Sequence, residues 1–321
     1  MPDTEMDRLE LELRNAVIRD DALLDEISTH LIAAGGKRLR PALALAAAGV
    51  SGEGASRATL LGGVSVELVH LASLYHDDVM DEATRRRNVV SVNARWGNLL
   101  AIVAGDFLLA RSAEIAASLG VEIAGLIAST LARLCQGQVA EVRSAYDVDR
   151  TEESYLAAIS NKTAALLSTA CRIGGLTAEL DRSAVESLTT FGESFGVLFQ
   201  LRDDVRDIVA TESELGKVPG QDLAEGIYTL SVQRALHDES VGTELRDLLG
   251  APLGPHEVTL ACELVMASSG IKQAVDVAKR YADDAIAASE QLGDDLIPKS
   301  LAALSASVYE DLDRTARASA S

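Results

Sequence analysis

The amino-acid sequence predicts an all-α protein. Apolar residues recur at helical spacing almost throughout, Ala and Leu dominate, and aromatic residues make up only 3%. That composition suits helices and lacks the aromatic residues that pleated sheets favour. Linker chemistry is also scarce: six prolines are spread over 321 residues, and no Pro/Ser-rich stretch divides the chain. A single domain over residues 1–321 is therefore expected, with 48% hydrophobic content to fill its core.

The first expected helix is an amphipathic segment over about 8–34, closed by Gly35-Gly36 as C-cap and turn. Further helices are expected over about 38–50, 56–82, 92–118, 121–145, 152–178, 183–210, 228–238, 255–267, 269–292 and 295–315. Glycine and proline concentrate at 216–226 and 250–255, which read as loops. The stretch Leu60 to Tyr75 is apolar nearly all round, as is much of 191–201, so both read as central helices. Residue self-similarity at solenoid periods is not evident.

A formal charge of −20 excludes nucleic acid as a partner, because phosphate backbones need a basic surface. Cys135, Cys171 and Cys262 are odd in number and widely spaced, and they read as free thiols in a reducing cytoplasm. The N-terminus lacks the basic and apolar regions of a signal peptide, and no secretion is expected. Apolar runs break before the ~20 residues a bilayer requires, so no transmembrane segment is expected; peripheral membrane contact for product release stays compatible.

Two aspartate clusters at the ends of the central segments carry the chemistry. His76-Asp77-Asp78-Val79-Met80-Asp81 and Gln200-Leu201-Arg202-Asp203-Asp204-Val205-Arg206-Asp207 each place carboxylates at i, i+1 and i+4. On a helix, such residues form a small claw of oxygen ligands. Hard cations such as Mg²⁺ take oxygen ligands, keep several waters and bridge carboxylates to substrate phosphates. His70, Ser73, Asp77 and Asp81 form one polar stripe, and Gln200, Asp203, Asp204 and Asp207 form another. If the stripes face each other, like charges ~4 Å apart repel by about 4 kcal/mol at an effective dielectric near 20, so cations are expected between them.

Basic residues supply the anion side. Lys37, Arg38 and Arg40 lie in Gly35-Gly36-Lys37-Arg38-Leu39-Arg40-Pro41, Arg85-Arg86-Arg87 follows the first cluster, and Lys162 and Lys217 add two more. Arginine donates two parallel hydrogen bonds to a diphosphate, whereas lysine acts as a point charge. Taken singly, Arg38, Arg85 and Lys162 read as solvated surface residues. His30, on an amphipathic face, reads as structural; His70 reads as a substrate contact, and His76 stays open between a supporting donor and a packed ring.

With these motifs in order the chain resembles the trans-isoprenyl diphosphate synthases, which include farnesyl, geranylgeranyl and long-chain polyprenyl diphosphate synthases. The resemblance rests on residues 35–41, the cluster at 77–81 followed by Arg86 and Arg87, Asn161-Lys162-Thr163, the cluster at 200–207, and Gly216-Lys217. It implies an all-α orthogonal helical bundle of the isoprenoid synthase type with a central cavity, assembled as a homodimer. Asp77, Asp78 and Asp81, with Asp203, Asp204 and Asp207, match positions that bind Mg²⁺ on the allylic diphosphate. Arg86, Lys162, Thr163, Gln200 and Lys217 match contacts to that diphosphate, and Asp77, Asp78, Asp81, Lys162 and Asp203 are the catalytic set. Gly36, Lys37, Arg40, His70 and Arg87 match the isopentenyl diphosphate pocket. The resemblance further implies that small residues at Ala72 and Ser73, one turn before Asp77, leave the floor open for a long product.

The chain departs from the family where a lysine is usual: it reads Glu225-Gly226-Ile227-Tyr228-Thr229. The alternatives are a geranylgeranyl or farnesyl diphosphate synthase, a class I terpene cyclase, and a noncatalytic partner subunit of a prenyl synthase. The full second aspartate cluster and the residues 35–41 speak against the cyclase.

Overall fold

Local capping sets where the helices begin. The structure, a computed structural model, describes residues 4–211 and 218–319. Helix α1 (Glu5–Val17) opens on a capping box in which the Thr4 hydroxyl accepts from Asp7 N and Asp7 reaches back. Asp21 then caps α2 (Ala22–Ala33) by accepting from Leu23 N and Leu24 N at 3.1 and 3.0 Å. The single helix expected over 8–34 is therefore two, because an aspartate that bonds the next two amides favours a new start over continuation.

Helix α3 (Leu39–Ala48) and the long α4 (Arg57–Met80) follow, and then a hairpin of β1 (Arg85–Arg86) and β2 (Val89–Val90). The hairpin is absent from the sequence expectation. Its turn residues Arg87 and Asn88 have φ of 51° and 64°, the two-residue geometry that matches strand twist, yet no glycine announces it. Next come α5 (Val92–Trp96) and α6 (Asn98–Leu119), one expected helix broken at Gly97, where φ is 87°.

The chain continues as α7 (Val121–Arg143), α8 (Glu152–Ile159), a π-helical turn at Ser160–Ala164, α9 (Ala165–Thr177) and α10 (Arg182–Val209). Beyond residue 218 lie α11 (Gln221–Ala224), α12 (Leu230–Ala235), α13 (Gly242–Leu248), α14 (Pro255–Ala267), α15 (Gly270–Glu290) and α16 (Leu296–Ser319). Helix α11 interrupts an expected loop and α13 was not expected; both are too short to display an amphipathic period. The cysteines are free thiols, Cys135 exposed and the other two buried.

The chain divides into two compact units, Met1–Ala132 with Leu166–Thr189, and Arg133–Ala165 with Thr190–Ser321. In the first, α4 is central. Its Ser65 hydroxyl pairs with that of Ser112 on α6 at 2.9 Å, and Leu60, Val64, Leu68, Leu71, Ala72 and Tyr75 belong to the core. By length and composition α4 could cross a membrane, but 72% of its apolar stretch is buried within the protein. In the second unit, Asp311 of α16 ion-pairs with Arg202 and Arg206 of α10 at 2.7 and 3.4 Å. Phe191 and Phe195 stack along α10 at 5.7 Å.

The π-helical turn depends on a close approach. A Cβ on Gly137 of α7 would lie 2.8 Å from Lys162 N and 3.1 Å from Ala158 O. Only the missing side chain lets α7 seat against a turn that carries an extra residue, the kind of irregularity that π-turns hold at functional sites. Gly137→Ala should lower unfolding free energy by about 1–3 kcal/mol despite the better helix propensity of alanine. Urea denaturation measures this, and a variant as stable as the parent would show that the contact yields without cost.

Candidate active site

Each unit holds one polar group assembled from the residues singled out above. In the first unit the group is built around a residue that the sequence reading missed, Glu67. It is 1% exposed, in the middle of apolar α4, and burial raises its carboxyl above the usual range while Arg38, Arg40 and Arg87 pull it back. Arg38, expected at the surface, is 5% exposed instead. Its Nη1 donates to Glu67 Oε1 at 3.0 Å, its Nε to Glu10 Oε1 at 2.5 Å, and its Nη2 to Ile32 O at 3.0 Å. A charge so deep in a domain needs such partners, which is the correction to the surface reading.

Arg40 belongs to the same cluster: burial holds its guanidinium below the usual value, against the pull of Glu67 and with the help of Arg87. Its Nε is buried with no hydrogen-bond partner. Arg87, held in a left-handed turn, donates Nη1 to Leu31 O at 3.2 Å and to Gly35 O. Gly36 lies against that guanidinium, since a Cβ there would come within 2.9 Å of Arg87 Cζ. Burial first, then Arg40 and Arg87, push the His70 imidazole well below its ordinary value, so it is neutral at neutral pH. Gly36, Arg40, His70 and Arg87 thus form one cationic cluster, whereas Lys37 is exposed.

The first aspartate cluster is not a symmetric claw. Asp78 is fully buried; its Oδ1 accepts from Arg86 Nε and Nη2 at 2.7 and 2.6 Å, and its Oδ2 has no hydrogen-bond partner. Burial raises the Asp78 carboxyl and Arg86 opposes that shift. Asp77 is half-buried and Asp81 is exposed at the end of α4. The Ser73 hydroxyl donates to His70 O at 2.8 Å on this half-buried face. Ala72 is fully buried among core residues, in register with Ser65 and His76, which meet Ser112 and Gly105 of α6. His76 Nε2 lies 3.3 Å from Ile102 O and 3.5 Å from Asp106, and His30 Nε2 lies 2.7 Å from Val90 O, a structural tether of the hairpin.

In the second unit the π-helical turn presents Lys162 and Thr163. Lys162 ion-pairs with Glu141, and Thr163 Oγ1 donates to Gln200 Oε1 at 2.7 Å. Gln200 Nε2 donates to Asp204 Oδ1 at 2.6 Å, and Tyr155 OH donates to Asp204 Oδ2. Desolvation, with Asp203 and Glu141 nearby, pushes the Asp204 carboxyl up to about 7. Asp203 is exposed beside Arg202 at 3.1 Å. Asp207 is buried and its Oδ2 accepts from Asp222 N at 3.0 Å, at the start of α11. Lys217 lies outside the described residues.

Glu141, Tyr155 and the pair Arg133–Glu193, at 2.8 Å around the π-turn, were also missed. Glu67 alone had a signal, a lone acid one turn before His70 on the polar stripe. Among the described residues no three His, Cys, Asp or Glu side chains group so as to hold a metal by themselves. The arrangement fits a cation shared with a substrate: an orphaned carboxylate oxygen on Asp78, and an exposed carboxylate at Asp203.

An all-α chain with two acidic helix segments, each set beside cationic groups, defines a protein of the diphosphate-handling class. Comparison with known proteins gives the family. Residues 21–265 match the family described as Polyprenyl synthetase, and the chain belongs to it. It is a trans-prenyltransferase, condensing isopentenyl diphosphate with an allylic diphosphate. Nonaprenyl diphosphate synthase of Mycobacterium tuberculosis is 40% identical over 279 residues, 86% of this chain and 82% of that protein. Heptaprenyl diphosphate synthase component 2 of Geobacillus stearothermophilus is 37% identical over 283 residues, 87% of each. The crystal structure of polyprenyl synthase from Caulobacter crescentus CB15, complexed with calcium and isoprenyl diphosphate, superposes with a TM-score of 0.88 at 30% identity, covering 95% of this chain and 94% of that one. The all-α isoprenoid synthase fold expected from the sequence is thereby shown.

The centrality of Glu67 is testable. Glu67→Gln should lower unfolding free energy by about 3–5 kcal/mol, the range for a buried ion pair broken from one side. Calorimetric or urea unfolding reads this out. A loss under about 0.5 kcal/mol, the scale of a surface change, would mean that Arg38 is neutralised by Glu10 alone.

Proposed function

We propose that the chain makes a long-chain polyprenyl diphosphate of the heptaprenyl to decaprenyl class, with Mg²⁺, as a cytoplasmic homodimer. The cationic cluster of Gly36, Arg40, His70 and Arg87 carries this reading, with Lys37 as a further cation. It offers guanidinium donors and a neutral imidazole to the diphosphate of isopentenyl diphosphate. Arg86, Lys162, Thr163, Gln200 and Lys217 hold the allylic diphosphate, and Asp77, Asp78, Asp81, Asp203, Asp204 and Asp207 hold its Mg²⁺. Bound metal supplies Lewis-acid stabilisation of the departing diphosphate. Cationic side chains stabilise the same developing charge, and aliphatic walls keep water from the allylic cation. The double bond of isopentenyl diphosphate attacks that cation, and the proton then lost goes to the released diphosphate.

Relatives named for nonaprenyl and heptaprenyl products support the long chain, as does the small Ser73 on the face shared with His70 and Asp77. Leu99, Ile102 and Val103, 75%, 42% and 49% exposed at i, i+3 and i+4 of α6, support a subunit contact. A second reading, a subunit active only with a different partner, is favoured by the relative named component 2. Turnover and mass of the purified chain alone separate the two.

Asp78→Asn and Asp203→Asn should each cut turnover by roughly 10²–10³-fold, the scale for removing one group that stabilises developing charge, with circular dichroism unchanged. Near-parental activity at saturating Mg²⁺ in either variant would remove that residue from the metal set.

Ser73→Phe should shorten the dominant product while the first condensation persists, because an aromatic ring on the Asp77 face blocks the path one turn, about 6 Å, below it. Ala72→Phe should instead cost stability, since Ala72 is enclosed by core. Product sizing by chromatography decides, and an unchanged distribution from an active Ser73→Phe enzyme would sink the open-floor reading.

A further inference from the structure

The second unit carries a cleft of about 410 Å³ whose wall includes Arg150, Thr151, Glu152, Gln233, Arg234 and His237, none of them used above. Arg150 is 7% exposed, and its Nε is buried without a hydrogen-bond partner. Its side chain forms no ion pair among the described residues, although arginine is almost never buried unless paired. The guanidinium lies 5.4 Å from the Tyr155 ring centroid. A cation–π contact contributes ~1–2 kcal/mol, against several for taking an ion out of water.

The carboxylates nearby are committed elsewhere. Glu152 Oε2 accepts from Arg234 Nη2 at 2.5 Å, Asp149 Oδ1 from Arg246 Nη1 at 2.7 Å, and Asp204 from Tyr155 and Gln200. Gln233, 5% exposed, donates Nε2 to Tyr228 O at 3.0 Å and leaves Oε1 buried and unpartnered. Arg234 Nε is likewise unpartnered. The cleft therefore presents the unpartnered Nε donors of two guanidinium groups and one unpartnered amide acceptor, with Glu141, Asp204 and Asp147 acting on Arg150 only through space.

An occupant must be an anion with acceptor oxygens for the guanidinium groups and a hydrogen for Gln233. Carboxylate and sulfate lack that hydrogen at neutral pH. Hydrogen phosphate and hydrogen diphosphate carry it. We propose that this cleft is an oxyanion site for a phosphate group that retains a hydroxyl, held by Arg150 and Arg234 and read by Gln233. The ligand is either free phosphate or the diphosphate that the condensation releases.

Isothermal titration of the full chain without Mg²⁺, using phosphate, diphosphate and sulfate, tests this. Saturable phosphate binding is expected, at least tenfold weaker for sulfate and at least tenfold weaker in Arg150→Met, which should titrate isopentenyl diphosphate as the parent does. Gln233→Glu places a carboxylate in the cleft and should abolish phosphate binding. Tighter diphosphate than phosphate binding through Arg150 identifies the reaction's own product as ligand, and the reverse order identifies the free ion. Phosphate binding undiminished in Arg150→Met, equal binding of sulfate, or no uptake by the parent at millimolar phosphate would each overturn the proposal, the last leaving water as the partner of the orphaned atoms.

Discussion

Three guanidinium groups of the first unit, Arg38, Arg40 and Arg87, depend on one buried carboxylate, Glu67. Guanidinium groups ~4 Å apart at an effective dielectric near 20 repel by about 4 kcal/mol, more than a hydrogen bond returns. Glu67 offsets that repulsion from inside the helix. Its pair with Arg38 also fixes the segment before α3, because Arg38 sits there in left-handed backbone and reaches Glu10 and Ile32 O. Arg40 follows within one turn and keeps an Nε without a partner. The cationic cluster is thus kept from collapsing onto its own counter-ion: the carboxylate binds Arg38 directly and acts on Arg40 and Arg87 through space.

The aspartates divide by a similar logic. Asp78 and Asp204 are buried and bonded, to Arg86 and to Tyr155 with Gln200, while Asp77, Asp81 and Asp203 reach solvent. A bonded carboxylate is held in place, Asp78 keeping its Oδ2 unpartnered, and an exposed one can swing to meet a cation that arrives with substrate. Adjacent positions in one motif therefore do different work. Asp207 takes a third, receiving the Asp222 amide and so anchoring the start of α11.

Helical periodicity made α15 legible through one packed face, and α4 and α10 through long apolar runs that persist for many turns. It merged α1 with α2 and α5 with α6, since the apolar rhythm persists across Asp21 and Gly97 and only the cap and the backbone angle mark the break. The hairpin at Arg85–Val90 was hidden because Arg87 and Asn88 hold positive φ without glycine. Motif spacing located the aspartates, Arg40, His70 and Arg87. It could not reveal Tyr155 or the inward turn of Arg38, and it marked Glu67 only by its place one turn before His70, since burial of a charge is decided by partners distant in sequence, such as Glu10.

The segment around Ile227, where relatives of the resembled family usually carry a lysine, shows how a lost cation can be absorbed. Ile227 is half-buried and Tyr228 wholly so, the Tyr228 hydroxyl accepting from Gly250 N at 2.7 Å. Gly226 presses on the Tyr146 ring, which a Cβ would approach to 2.6 Å, and Tyr146 N donates to Gly226 O at 2.8 Å. The stretch has become a packing joint between the end of α11 and the start of α12. An ammonium at 227 would need an acceptor or solvent there, whereas isoleucine needs only apolar contact. Of the cations at the π-helical turn and the cleft, Lys162 is balanced by Glu141 and Arg234 by Glu152. Arg150 is left as a buried guanidinium with no direct ion pair among the described residues, stacked near Tyr155 and met by Glu141, Asp204 and Asp147 only through space.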